Sequence, residues 1–119
     1  MRKGLNVLIL FALIPGVFGL KLALAEEGMA VHYSNTFQGK PTASNETFDQ
    51  EGMTAAHKTH PFGTKVKVTN LENNQSVVVT INDRMARRNR NLIDVTRRAA
   101  RELGFEKQGR ARVSAEPVQ

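Results

Sequence analysis

The sequence predicts a mainly β domain, closed into a small barrel with one short helix, and three observations carry that prediction. Short runs with period-2 alternation recur along the chain, most clearly in Lys65–Leu71 and Gln75–Ile81. Clusters of turn formers separate these runs, as in Ser34–Phe48. Only the stretch after Thr96 has an apolar stripe at helical spacing, made by Ala99, Ala100 and Leu103. A barrel is the closure that leaves such short strands without an exposed edge.

The chain opens with a segment outside the fold. Arg2 and Lys3 precede an apolar run from Leu5 to Leu20, and Ala23-Leu24-Ala25 follows as a small-residue cleavage signature. Residues 1–25 are therefore expected to be a signal peptide and 26–119 the folded domain. Pro15, Gly16 and Gly19 interrupt a run already shorter than the roughly 20 residues of a spanning helix, so no stable membrane anchor is expected after cleavage. The absence of cysteine excludes lipid attachment, a disulfide framework and thiolate metal sites, and leaves the core alone to hold the fold. The expected address is periplasmic or secreted. The net charge of +6 is halved once Arg2, Lys3 and Lys21 leave with the signal peptide. Export and the lack of aromatic stacking platforms speak against nucleic acid as a partner, whereas an anionic cell-envelope polymer suits the remaining charge.

The elements follow in order. Gly28–Tyr33 alternates weakly as a first strand, and Ser34–Phe48 reads as a long functional loop. Thr54–Gly63 reads as a polar, small-residue turn in which Pro61 and Gly63 send the chain into the next strand. There, Val66, Val68 and Asn70 share one face. Asn73-Asn74 suits left-handed turn positions and a hairpin into Gln75–Ile81. Val77, Val79, Ile81 and Asp83 share a parity, so Asp83 is expected to point with the core valines, at the strand's open end. After the basic, turn-like Met85–Asn91 comes a short strand, Leu92–Val95, with Thr96 as N-cap and Gly104 as left-handed C-terminal cap of the helix. Arg98 and Glu102 stand four apart on its exposed side. Ala111–Ala115 closes the barrel.

Carboxylates are the first candidates for chemistry. Asp83 ends an apolar strand and Asp94 lies within Leu92–Val95, surroundings that raise a carboxyl pKa towards that of a general acid, with Arg84 opposing this for Asp83. Each has a simpler role available: Asp83 pairing with Arg84, and Asp94 forming an Asx turn before Thr96. Glu46 and Asp49, three apart, converge if their loop folds over the barrel and are solvated otherwise. His57 and His60 are also three apart, but no helix aligns them and no third ligand stands at a recognisable spacing. No metal and no organic cofactor is expected. Tyr33 offers either a face for a sugar ring or a core contact. The arginines from Arg84 to Arg101 form either a solvated face or an electrostatic guide for an anionic polymer.

Read together, GMAVHYS, FQGKPTASNETFD, MTAAHKTHPFGTKVKVTNLENNQSVVVTINDR, LIDVTRRAARELGF and GRARV resemble, in order, the segments of the rare lipoprotein A (RlpA) family of lytic transglycosylases. The resemblance implies a six-stranded double-psi β-barrel with one or two short helices. It implies a substrate, the glycan strands of peptidoglycan, either carrying stem peptides or denuded of them, cut between N-acetylmuramic acid and N-acetylglucosamine to leave 1,6-anhydromuramic ends. It places family positions on Glu46, Asp49, His57 and Asp83, with Asp94 matching the Asp of an IDLS-like strand. Asp83 is then the expected acid, Glu46 and His57 its catalytic companions, and Asp49, Asp94, Tyr33, Arg84 and Thr54 the expected substrate contacts, with Thr54–His57 lining the groove. Several positions depart from the pattern, among them His60, which stands where the family tends to have an apolar residue. Asn45 stands where the family has Gly, a mild change because asparagine tolerates positive φ. Met85-Ala86 stands where it has Gly-Pro, which predicts a differently shaped loop beside Asp83. The alternative is a non-catalytic, expansin-like module that binds peptidoglycan or cell-division proteins.

Overall fold

The computed structural model describes residues 24–118, so the predicted signal peptide lies outside the described residues except for Leu24 and Ala25. Six strands, β1 (Glu26–His32), β2 (Thr54–His57), β3 (Lys65–Asn70), β4 (Ser76–Arg84), β5 (Ile93–Val95) and β6 (Arg110–Pro117), close in the order β1-β5-β2-β4-β3-β6. The β1–β5 and β2–β4 pairs are parallel and the other four antiparallel. One helix, α1 (Arg97–Leu103), and a 3-10 turn at Asn35–Phe37 complete the architecture that the sequence predicts.

Alternation decides what the barrel encloses. Val66, Val68 and Asn70 of β3 are buried while Lys65 and Lys67 are exposed. Asn70 is the one polar member of that face, and its amide is spoken for: Nδ2 donates to the Leu103 carbonyl at 2.8 Å and Oδ1 accepts from Glu72 N at 2.9 Å. A buried amide so satisfied costs little and ties the β3–β4 hairpin to the end of α1. In that hairpin Asn74 takes the positive φ, 63°, whereas Asn73 uses its side chain instead, donating to the same Leu103 carbonyl at 3.0 Å.

The helix has the predicted ends. Thr96 Oγ1 accepts from Ala99 N at 3.2 Å and donates to the Gly52 carbonyl at 2.6 Å, so one hydroxyl both caps α1 and anchors it to the loop before β2. Gly104 adopts φ 84°, and Phe105 N then bonds back to the Ala100 carbonyl at 2.9 Å. Thr96→Ala is expected to cost about 2 kcal/mol, combining a lost cap with an orphaned carbonyl. Urea unfolding checks this, and Thr96→Ser should recover most of the loss.

Two expectations are corrected. Thr54–His57 is a strand, not a turn: β2 lies between β4 and β5, whose backbones supply the hydrogen bonds that alanine's weak strand preference does not advertise. Asp83 does not follow the core valines either. The β2–β4 register pairs Ala55 with Ile81 but Ala56 with Asp83, so Asn82 is an extra, bulged residue. Ile81 and Asn82 are both buried, and Asp83, one step beyond the bulge, opens to solvent.

Candidate active site

The bulge re-aims Asp83, and the register of β2 gives it a counterpart. Ala56 pairs with Asp83 on one side and with Asp94 on the other. Residues abreast in a sheet share a face, so Asp83, Ala56 and Asp94 form one row across β4, β2 and β5. Two inter-strand spacings put the two backbones roughly 9.5 Å apart, and only an alanine methyl stands between. These three residues floor an open groove of about 390 Å³. Tyr33, Ser34 and Phe37 form one wall, and Arg84, Met85, Ala86 and Asn89 the other.

The carboxylates differ in environment. Both oxygens of Asp83 accept: Oδ1 from Ala43 N at 2.8 Å and Arg84 N at 2.9 Å, Oδ2 from the Tyr33 hydroxyl at 2.7 Å. All three neighbours donate, so both oxygens are satisfied as acceptors. Burial, then the hydrogen bond and charge of Asp83, push the Tyr33 phenol far above its usual range, so it remains a donor. Asp94 has no such support. Its Oδ1 is buried without a hydrogen-bond partner. Burial, and secondarily the charge of Asp83, raise its pKa from 3.8 to about 6.

Local folding explains how the loops reach this floor. Residues Pro41–Thr47 form a tight antiparallel turn, in which Asn45 takes φ 76° and the Thr42–Glu46 backbone bond measures 2.8 Å. Its tip presents Ala43 N to Asp83, while Ser44 N bonds to the Asn82 carbonyl at 3.3 Å and Glu46 Oε1 accepts from Asn82 Nδ2 at 3.0 Å. Glu46 thus grips the bulge. Asp49 stays in its own loop, accepting from Glu51 N at 3.0 Å and Gln38 Nε2 at 3.4 Å. Behind the floor, Tyr33 packs at 4.2 Å ring separation on Phe48, with Ala56 and Met85 completing a small buried cluster. Met85 fills space there and takes no positive φ.

His57 is placed differently from the expectation that it meets sugar or acid. It is 3% exposed and absent from the groove lining. Its Nδ1 accepts from Thr59 N at 3.1 Å and His60 N at 3.0 Å, which leaves the proton on Nε2, donated to Glu26 Oε1 at 3.1 Å. Burial first, then His60, lower its pKa and keep it neutral. Glu26, His57 and His60 offer a metal-like ligand set. The tautomer argues against it, because a ring whose Nδ1 accepts two amide protons has no free lone pair at Nε2. His57 instead supports the opposite wall: its carbonyl accepts from Met85 N at 3.2 Å and from Arg84 Nη1 at 2.9 Å. Arg84 also bonds to the His60 carbonyl and lies 4.5 Å over the Phe62 ring, so it does not pair with Asp83. Thr54 is set back in β2, away from the groove.

Of the eight residues expected from sequence, the groove therefore gathers Asp83, Asp94, Tyr33 and Arg84, while Glu46, Asp49, His57 and Thr54 do not line it. Ala56 falls within the Thr54–His57 stretch expected to line the groove, whereas Phe37, Asn89 and Glu26 were not legible, since a contact across 31 positions depends on register that no local pattern reveals.

A closed mixed barrel with its groove across β4, β2 and β5 defines the double-psi β-barrel class. A family described as Lytic transglycolase matches residues 25–115, and the chain belongs to that family. It is 49% identical over 92 residues to the probable endolytic peptidoglycan transglycosylase RlpA of Synechocystis sp., covering 77% of this chain and 29% of that one. It is 47% identical over 91 residues to the endolytic peptidoglycan transglycosylase RlpA of Pseudomonas aeruginosa, covering 76% and 27%. The chain thus spans less than a third of these relatives' length. Among solved structures it resembles a Clavibacter michiganensis expansin in complex with cellohexaose, with TM-score 0.64, 20% identity and coverage of 81% and 51%. It also resembles the Streptomyces papain inhibitor, with TM-score 0.66, 18% identity and coverage of 83% and 98%. These likenesses establish the fold.

Proposed function

We propose that this domain is a peptidoglycan lytic transglycosylase, and that Asp94, not Asp83, donates the proton. The carrying observation is the row Asp83-Ala56-Asp94, in which burial raises the pKa of one carboxyl to about 6 and the other is surrounded by donors. A carboxyl whose pKa is raised by burial, beside a second carboxyl held by donors, is what acid-assisted glycosidic cleavage needs. Asp94 protonates the oxygen leaving C1 of muramic acid. Asp83, an anion at the floor, stabilises positive charge developing at C1. The 6-hydroxyl of the same sugar then closes on C1, and Asp94, ionised by the first step, takes the hydroxyl proton and is restored. No water enters the product. Export to the periplasm or beyond, supported by the features of residues 1–25, would bring the domain to this substrate.

Purified protein incubated with sacculi should release fragments with 1,6-anhydromuramic ends, detected by mass spectrometry, and Asp83→Asn and Asp94→Asn should each abolish them. Full activity in Asp94→Asn with loss in Asp83→Asn would return the acid role to Asp83.

Tyr33 supports the anion. Tyr33→Phe removes the 2.7 Å donor to Asp83 Oδ2 while leaving the packing on Phe48. Its kcat is expected to fall about tenfold to a hundredfold, the worth of one hydrogen bond to a charged group, with KM nearly unchanged. A KM effect alone would make Tyr33 a sugar platform instead.

A further inference from the structure

On the reading of the groove just given, we infer that Phe37 and Asn89 form a subsite for an uncleaved N-acetylhexosamine ring of the glycan, stacked on the phenyl face and oriented by its acetamido group. Four phenylalanines lie among the described residues. Phe48 and Phe105 are buried in the two apolar clusters, and Phe62 carries the Arg84 guanidinium 4.5 Å over its ring. Phe37 is the one that lines the groove, and it does so 48% exposed. An apolar ring left in water within a polar groove forgoes burial that a ligand can restore.

The ring is held in place before any ligand arrives. Its 3-10 turn is capped by Ser34, whose Oγ accepts from Thr36 N at 3.2 Å. Phe37 N bonds to the Ser34 carbonyl at 3.2 Å, and Lys40 N to the Phe37 carbonyl at 3.0 Å. The phenyl meets Tyr33 at 79° with centroids 5.9 Å apart. Such a perpendicular contact occupies one edge or one face of Phe37, so at least one face stays free of Tyr33. That face is the negative side of the π system, and the C–H groups of a pyranose complement it. On the opposite wall Asn89 supplies the direction that a ring face lacks. Its Oδ1 accepts from Asn91 N at 2.9 Å, which fixes the orientation of the amide, and its Nδ2 has no acceptor among the described residues. The carbonyl of an acetamido group is the acceptor that an amino sugar brings and a plain hexose does not. Neither Phe37 nor Asn89 bonds to Asp83 or Asp94 through its side chain, so the subsite adds binding and takes no part in the proton transfer.

The test is calorimetric binding of two β-1,4-linked tetramers, one of N-acetylglucosamine and one of glucose, neither of which contains the muramic bond. Wild type is expected to bind the first on the order of tenfold more tightly than the second. Phe37→Leu, which keeps apolar bulk but has no ring face, should weaken the first about tenfold, and Phe37→Trp should preserve it. Asn89→Asp retains the acceptor for Asn91 N and removes the donor, so it should bring the two tetramers level. On glycan strands Phe37→Leu should raise KM by about the same tenfold with kcat nearly unchanged, the reverse of Tyr33→Phe. Wild-type affinity in Phe37→Leu, equal affinity of wild type for the two tetramers, or no binding of either would overturn the inference. If the N-acetylglucosamine tetramer binds as expected but wild type leaves no anhydro ends on glycan strands, the transglycosylase reading fails and the subsite stands.

Discussion

Asp94→Asn is expected to lower kcat by about a hundredfold to ten-thousandfold, the usual contribution of a positioned general acid. In the wild type the rate should fall as pH rises through about 6, where Asp94 loses its proton. The same group makes a second, opposite prediction about stability. Its pKa is raised on folding from 3.8 to about 6, so the fold binds a proton there that the unfolded chain does not. The stabilisation is complete below the unfolded value and is lost as pH rises through the folded one. Asparagine suffers no such loss. Asp94→Asn should therefore melt higher than wild type above pH ~7 and lose that advantage towards pH ~4. An inactive variant that is also more stable identifies a group kept at a stability cost for its chemistry. If the variant is inactive but melts lower at every pH, Asp94 is a structural residue.

Phe105→Ala is the prediction with the largest effect on the fold. Phe105 is fully buried, packed among Ala99, Ala100, Leu103 and the valines of the barrel, and its amide closes the end of α1. Truncation is expected to cost about 3–5 kcal/mol, a large part of the roughly 5–15 kcal/mol available to a domain. No disulfide is present to compensate. Denaturant unfolding should show a midpoint far below wild type with activity retained in the folded fraction; a loss under about 1 kcal/mol would mean that the core collapses around the site.

The parts of the fold visible in the sequence are those set by local rules. The faces of β3, the caps at Thr96 and Gly104, and positive φ at Asn45 and Asn74 each follow from a residue's own preferences and its immediate neighbours. What escaped was non-local. β2 carries two alanines and no period, and it is a strand because β4 and β5 flank it. The Asn82 bulge is invisible without the partner strand, and it alone decides which way Asp83 faces. The candidate site divides in the same way. Residue type and resemblance pointed to Asp83, Asp94 and Tyr33, but the burial that raises the Asp94 pKa and the three donors, from Tyr33, Ala43 and Arg84, that converge on Asp83 arise only through folding. His57 is the sharpest case. Its type suggests acid–base chemistry, yet its tautomer and burial make it a strut for the Arg84 wall.

Ring closure by the sugar's own hydroxyl between Asp83 and Asp94, with water kept out of the product, is the step that defines the proposed mechanism. The most direct measurement is digestion of glycan strands in water labelled with heavy oxygen, followed by mass spectrometry of the new ends. Anhydromuramic ends that carry no heavy oxygen are the predicted result. Reducing muramic ends that carry the label from the first turnover would show that water is the nucleophile, and would contradict the transglycosylase mechanism.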